Sequence, residues 1–403
     1  DVYKRQLLPH HHKQSQITTL ATRQFYPTQF RFKDCPSNDS FSDRILHWFA
    51  KHGRHHLPWQ VADPYSVWVS EIMLQQTQVA TVIGYYNRFM ARFDSLQSLA
   101  AAPLDDVMAH WAGLGYYSRA RNLHKTAQAL HAIIKKTGDY PQTLDEWQAL
   151  SGIGRSTAGA ILAMGLHKFG VICDGNVKRV LTRHFAIDGD ITKSATDKQL
   201  WHIAEQLTPK TNSGNYAQAM MDLGATLCTR TRPNCPVCPV QSTCQAHQKG
   251  TPTAYPVKSK KTAKPTHKAT ALYICHQDKV LFIKRPSNGI WGDLWCLPMH
   301  TPTKPESLGE QGLDALLATL DISTNSSPNP SSNPISLRHS LTHFHWQISL
   351  KIIHLNDKIA IDKLLIKHKI DFIWADKKAQ QALSQPRAMQ KLLVHQNDGV
   401  VHH

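Results

Sequence analysis

The sequence predicts a multidomain protein, an all-α domain followed by an α+β domain, and three observations carry the prediction. The chain has 403 residues, roughly two to three times the usual domain length. From Phe41 to about Gln248 apolar residues recur at three- and four-residue steps, with no alternating run between them. Past residue 268, short β-branched and aromatic runs appear beside further helical stretches. With 41% hydrophobic and 19% charged residues the chain can bury real cores, which excludes disorder throughout. The longest purely apolar stretch runs only from Ala158 to Leu166, far short of the ~20 residues that span a bilayer.

Residues 1–40 are rich in Gln, Thr and His, show no periodic apolar face, and read as a poorly ordered extension. The chain opens Asp1-Val2-Tyr3 without Met, the mark of a fragment or a spurious start. No apolar h-region with a cleavage site is present, so no secretory signal is expected; the acid-poor composition leaves a transit peptide as the alternative. His10, His11 and His12 read as a solvated tail. Asp63-Pro64 starts a helix, Asp as cap and Pro in the first turn, and Val69, Ile72, Met73, Val79, Ala80 and Ile83 follow at helical spacing. Further helices are predicted near Leu104–Trp111, Ser118–Ile134, Leu144–Leu150, Thr157–Leu166, Asn176–Phe185 and Asp197–Leu207. The first domain thus covers 41–247. Residues 248–268 carry six lysines, three prolines and no acid, the composition of an extended basic linker. The second domain, 269–396, has strand-like runs at Ala269–Cys275, Val280–Lys284, Ile348–Leu355 and Phe372–Trp374. Helical stretches lie near Gly312–Leu320 and Ala379–Val394, with a Ser/Asn/Pro loop at Thr324–Pro334. Residues 397–403 form a tail.

The charge balance is strongly basic, 46 Lys plus Arg against 29 Asp plus Glu, formally +17. Such a field attracts polyanions, nucleic acid first among them, and says nothing about fold. Of eight cysteines, Cys228, Cys235, Cys238 and Cys244 crowd together while Cys35, Cys173, Cys275 and Cys296 are scattered. That usage suits a reducing compartment and a metal site rather than a disulfide framework. Zinc sites usually pair two short Cys-x-x-Cys knuckles, and only one is present. Four thiolates on one tight loop suit a 4Fe-4S cube, which needs one sulfur per iron; zinc is the alternative. Leu150-Ser151-Gly152-Ile153-Gly154-Arg155 lies between two helices, and its glycines allow a hairpin whose N–H groups face a phosphate. A plain helix–helix turn would use the same residues. Glu71 sits beside an apolar helix face, where burial would raise its pKa and keep it protonated as a general acid. Asp174 follows Val171-Ile172-Cys173 and opens another helix, a position most often held by a cap.

The hairpin, followed about twenty residues later by Asp174 and then by the four-cysteine loop, resembles the helix-hairpin-helix DNA glycosylases. Within them, Leu57-Pro58-Trp59, the run Glu71 to Val79, Gly113 to Arg119 and Asp174 to Val180 resemble the MutY-type adenine DNA glycosylases. The resemblance implies a helix-hairpin-helix glycosylase domain with an iron–sulfur loop, and hydrolytic removal of adenine mispaired with 8-oxoguanine or guanine in double-stranded DNA. Glu71 would then protonate flipped adenine at ring nitrogen 7, and the ionised Asp174 would stabilise or trap the oxocarbenium sugar. Related lyases carry Lys where Ser156 stands, and serine cannot form a Schiff base, which implies a monofunctional enzyme. The resemblance also places Gln75 in the base stack, and Gln76 and Asn176 around the adenine and the acid. Leu57 and Trp59 would wall the pocket, and one of Tyr116 and Tyr117 would wedge beside the lesion while the other packs in the core. Gly152, Gly154, Arg155 and Lys178 would meet phosphates, and Cys228, Cys235, Cys238 and Cys244 would hold the 4Fe-4S cluster.

The second domain resembles the Nudix-like C-terminal domain of the same family, through Ile290 to Trp295 and Leu297-Pro298. A working Nudix helix needs paired acids for magnesium, and Glu306, Glu310, Asp314 and Asp321 lack that arrangement, so pyrophosphate hydrolysis is not expected. The family instead reads 8-oxoguanine here through a Phe-Ser-His loop. In this chain Leu341, Thr342 and His343 stand in those places, keeping an apolar wedge and a hydroxyl. Taken together, the resemblance implies a monomer in the bacterial cytoplasm at the nucleoid. A lyase for oxidised pyrimidines and a non-catalytic iron–sulfur DNA-binding protein are the competing readings; Ser156 opposes the first, and the intact Glu71 and Asp174 motifs oppose the second.

Overall fold

A computed structural model of the chain describes residues 40–259, 263–287, 289–300 and 335–398. The expectations placed on residues 1–39, on the 301–334 stretch and on the last five residues lie outside the described residues. The first domain is helical. α1 (Phe41–His52), α2 (Pro64–Leu74), α3 (Val79–Arg92), α4 (Leu96–Ala101), α5 (Leu104–Trp111) and α6 (Ser118–Thr137) come first. α7 (Leu144–Gln148), α8 (Arg155–Ala160), α9 (Gly175–His184), α10 (Ser194–Leu207), α11 (Ser213–Asp222) and α12 (Gln245–Gln248) follow. The helix expected over Thr157–Leu166 starts earlier and passes into a π turn at Ile161–Gly165; a second π turn, Leu223–Leu227, extends α11. α1, α4, α11 and α12 were not among the expected helices.

α2 is the central element. Asp63 caps it, accepting from Tyr65 N at 3.3 Å and Ser66 N at 2.8 Å, and Pro64 opens its first turn. Tyr65 through Ser70, with Ile72 and Met73, are buried, so almost every face of α2 meets protein and Glu71 is carried inward with it. That environment supplies the stability, since a helix of 11 residues is marginal alone.

The second domain is built on a mixed sheet of β1 (Thr266–His276), β2 (Lys279–Lys284), β3 (Trp295–Cys296), β4 (Met299–His300), β5 (Ser336–Ser340), β6 (His345–His354) and β7 (Phe372–Ala375). The order is β3-β2-β1-β6-β5, with β4 paired to β1 and β7 to β2. β1 and β6 run parallel from Thr266↔His345 to Cys275↔His354, and the other pairs are antiparallel. The single helix expected at Ala379–Val394 is two, Lys377–Ala382 and Arg387–Asp398, because Pro386 lacks the N–H to continue the first.

The linker is less free than its composition suggests. β1 starts at Thr266, inside it, and residues 255–259 are pinned to the first domain. Tyr255 Oη donates to Asp188 at 2.8 Å, Arg183 Nε donates to Tyr255 O at 3.1 Å, and Ser259 N donates to Asp190 at 3.0 Å.

Candidate active site and cysteine loop

Glu71, on the last turn of α2, is half-buried by surface and closely surrounded by protein. Burial pushes its carboxyl from the usual range up to about 8, and the Asp174 charge adds to the rise. Asp174 is both what its position suggested and more: it caps α9, accepting from Asn176 N at 3.0 Å and Val177 N at 2.8 Å. Burial raises its pKa, opposed by those two N–H groups, by Arg179 and by the Asn176 amide. The pair titrates as a unit, and the donors on Asp174 favour its ionised form while Glu71 has none to hold its charge. The two carboxyls are thus close enough to interact, Glu71 held protonated by burial and Asp174 met by hydrogen-bond donors that oppose its own rise.

Two arginines position these groups, and sequence reasoning gave neither a role. Arg119, at the start of α6, is 8% exposed. Its Nη1 donates to Ile72 O, Met73 O and Gln75 O at 2.8, 3.0 and 2.5 Å, closing the carbonyl end of α2 just beyond Glu71. Its Nη2 donates to Leu114 O and Gly115 O at 3.4 and 3.2 Å. Desolvation lowers its pKa to about 10, still far above neutrality. Arg179 donates to Asn176 Oδ1 at 2.7 Å, to Gly224 O at 2.7 Å and to Cys228 O at 2.8 Å. A Cβ on Gly224 would stand 2.6 Å from that of Asn176, so glycine is what lets the α9 start approach the Leu223–Leu227 turn. The motif blocks contained both arginines; only their helix-start position was visible, and that reads as a solvated charge.

The other expected site residues fall as follows. The Asn176 amide is already committed to Asp174 at 3.3 Å and to Arg179, so it orients the carboxylate rather than offering a free pocket contact. Leu57 and Trp59 are buried, Trp59 edge-on to Tyr86, in a segment latched by Leu57 N to Gln60 Oε1 at 3.1 Å. Gln75 is half-buried and Gln76 exposed at φ +59. Tyr116 is 45% exposed, whereas Tyr117 is core, its hydroxyl 3.5 Å from Gln385 O; the pair thus divides, and Tyr117 is unavailable as a surface contact. Gly152 holds φ +79, and any Cβ there would meet Asn122 at 2.8 Å, so the hairpin requires glycine. Gly154 leads into α8 without a side-chain cap. Arg155 lies 4.1 Å over the Trp201 ring and 3.4 Å from Glu205. The Lys178 ammonium is paired with Asp197, as Arg155 is with Glu205. Ser156 Oγ accepts from Cys173 N at 3.1 Å and so tethers the segment that carries Asp174.

A cavity of about 890 Å³ is lined by Trp59, Gln60, Ser70, Lys168, Lys210 and Gln218 among others, and neither Glu71 nor Asp174 is among its lining residues.

Cys228, Cys235, Cys238 and Cys244 are unbridged and line one small cavity with Arg183, Gln241 and His247. Among the described residues no three His, Cys, Asp or Glu side chains converge as a single ion would require. Burial pushes the Cys238 thiol up to about 12, so a cationic centre would have to ionise it. Arg183 Nη1 donates to Cys228 Sγ at 3.3 Å, a charge suited to a thiolate.

In the second domain Leu341 N donates to Phe344 O at 2.9 Å, closing a four-residue turn between β5 and β6. Thr342 and His343 are exposed at its tip and Leu341 is half-buried.

A hairpin opening a helix, a buried acid beside a second, donor-held carboxyl, and a four-cysteine loop are the features expected of a DNA-repair glycosylase. Residues 69–206 match the family of HhH-GPD superfamily base excision DNA repair proteins, and residues 269–395 match the NUDIX domain. An adenine DNA glycosylase of Buchnera aphidicola subsp. Acyrthosiphon pisum is 37% identical over 359 residues, 88% of this chain and 96% of that one. The human adenine DNA glycosylase is 35% identical over 338 residues, 70% of this chain and 61% of its own. A solved thermostable thymine-DNA glycosylase aligns at 24% identity over 52% of this chain and 95% of its own, with a TM-score of 0.46. The chain belongs to the adenine DNA glycosylases, enzymes of base excision repair that hydrolyse N-glycosyl bonds. Among the described residues no helix is long and apolar enough to cross a membrane.

Proposed function

We propose that this chain is a monofunctional glycosylase that removes adenine mispaired with 8-oxoguanine, or with guanine, from duplex DNA. The observation that carries the reading is the interaction of Glu71, raised to about 8, with a donor-held Asp174. Adenine must leave the stack, at a cost of a few kcal/mol, before Glu71 can reach it. Neutral Glu71 donates its proton to ring nitrogen 7. The bond from C1′ to nitrogen 9 then breaks with its electron pair left on the base, and the sugar becomes an oxocarbenium ion. The Asp174 carboxylate stabilises that cation or adds to C1′, as in retaining glycosidases. Glu71, now ionised, takes a proton from the water that attacks C1′, leaving free adenine and an abasic site. Ser156 offers no amine for a Schiff base, so the strand stays intact.

The glycine hairpin at Gly152 and Gly154, whose helix start has no side-chain cap, suits a DNA phosphate together with Arg155. Exposed Tyr116 and Gln76 suit entry into the duplex, and Thr342 and His343 at the turn tip suit contact with the base opposite adenine. The four loop cysteines would hold a 4Fe-4S cluster, which when bound crosslinks residues 228–244 into one rigid body.

The test uses end-labelled duplexes with a single adenine opposite 8-oxoguanine, guanine or thymine, treated with wild type or Glu71→Gln with and without hot alkali. Cleavage at adenine opposite 8-oxoguanine that needs alkali and vanishes in the variant is expected. Cleavage without alkali would refute the monofunctional reading, and tight binding without cleavage would refute catalysis.

A further inference from the structure

Arg121 joins the two domains. It lies on α6 two residues beyond Arg119, and its Nη1 donates to Gly292 O at 2.8 Å. The loop that receives it is held in an unusual shape: Trp291 and Asp293 stand at φ +58 and +59, a region that bulky side chains avoid. Asp293 N to Arg285 O at 3.1 Å, Ser287 Oγ to Asp293 Oδ1 at 2.7 Å, and Arg285 Nε to Ile290 O at 2.8 Å hold it there. Asp293 Oδ2 is buried without a hydrogen bond, 3.5 Å from Arg121 Nε. A shift of a few tenths of an ångström along α6 would close that pair, and closing it would give the contact a second arrangement.

Trp291 connects this loop to the turn at residues 341–344. Its ring lies 4.9 Å from Trp346 and 5.6 Å from His339, and Trp346 lies 5.5 Å from Phe344, the last residue of the turn. On the other side of Arg121, the same end of α6 carries Arg119, which holds the carbonyls beyond Glu71, and follows Tyr116.

We propose that Arg121 is a specificity-determining positioning residue. Through Gly292 and Asp293 it passes the state of the 341–344 turn to the start of α6, and so to Tyr116 and Glu71. This rests on the opposite-base reading proposed above. A ligand shifts such a contact only by its differential interaction with the two arrangements; the base opposite adenine is that ligand, and the rate of excision reports the shift.

The test measures single-turnover excision by the full chain from adenine opposite 8-oxoguanine and opposite guanine. It compares wild type, Arg121→Met, Thr342→Ala and the double variant, with melting followed in parallel. Arg121→Met is expected to lower the ratio of the two rates about tenfold while the rate opposite guanine stays within about twofold. The double variant is expected to be no worse than the more severe single one, as two points on one line of coupling require. Arg121→Lys, which keeps the cation and a donor for Gly292 O, should fold and retain an intermediate ratio. An unchanged ratio in Arg121→Met, an equal fall of both rates, or additive losses overturns the proposal while leaving opposite-base reading intact. A wild-type ratio of one overturns that reading and this inference together.

Discussion

Glu71→Gln should inactivate the enzyme and stabilise it, and the stabilisation should grow with pH. Glu71 titrates near 8 in the fold against an ordinary value of 4.5. A carboxyl whose folded pKa is raised contributes stability that is complete below its unfolded pKa and lost as pH rises through its folded pKa, here the window from about 4.5 to 8. At ~1.36 kcal/mol per unit, keeping the proton at pH 7 costs about 3 kcal/mol relative to the unfolded chain. Solvent reaches this half-buried side chain, and discounting for its screening leaves roughly 1–2 kcal/mol. Glutamine keeps the shape without the charge, so the variant should melt several degrees above wild type at pH 8–9 and with it near pH 5. The activity arm uses the same pKa: at pH 7 about nine-tenths of Glu71 is protonated, and excision should fall about tenfold per pH unit above 8. Thermal melts of both proteins at pH 5, 7 and 9, beside single-turnover rates, provide the assay. A melting difference independent of pH, or a rate flat to pH 9.5, would refute the assignment of a buried, proton-holding Glu71.

Asp174→Asn should cost about 10³-fold or more in excision while leaving the melt within a few degrees, because Asn still caps α9 but carries no charge for the sugar cation; an active variant would remove Asp174 from the chemistry. Arg119→Lys keeps the charge but not the fork that serves five carbonyls, and should lose about 2–4 kcal/mol in a denaturant melt together with activity; full stability would mean that α2 closes without it. Tyr116→Ala should leave the melt unchanged and weaken duplex binding, whereas Tyr117→Ala should lower stability by about 3 kcal/mol; the opposite pattern would exchange their roles.

What the sequence could show was local. Asp63-Pro64 and Gly152 each act within a few residues, the first capping α2 and the second holding a left-handed turn. α11 escaped notice because Ser213 and Tyr216 through Met220 are buried, so its apolar residues form no stripe. β5 escaped because an edge strand reading Ser-Leu-Arg-His-Ser has no apolar run, and β3 and β4 because two residues carry no period. The site divides along the same line. Asp174 looked like a cap and is one; its electrostatic effect on Glu71 is the part that no periodicity could show, because the two lie on different elements. Arg119 illustrates the point most sharply. In the sequence it is a basic residue near a helix start, where the dipole disfavours it, yet its guanidinium is spent on carbonyls 44 to 47 residues away. A charge placed against its own helix is therefore a signal that the partner lies on another element, and Arg121, two residues on, meets its partner in the other domain.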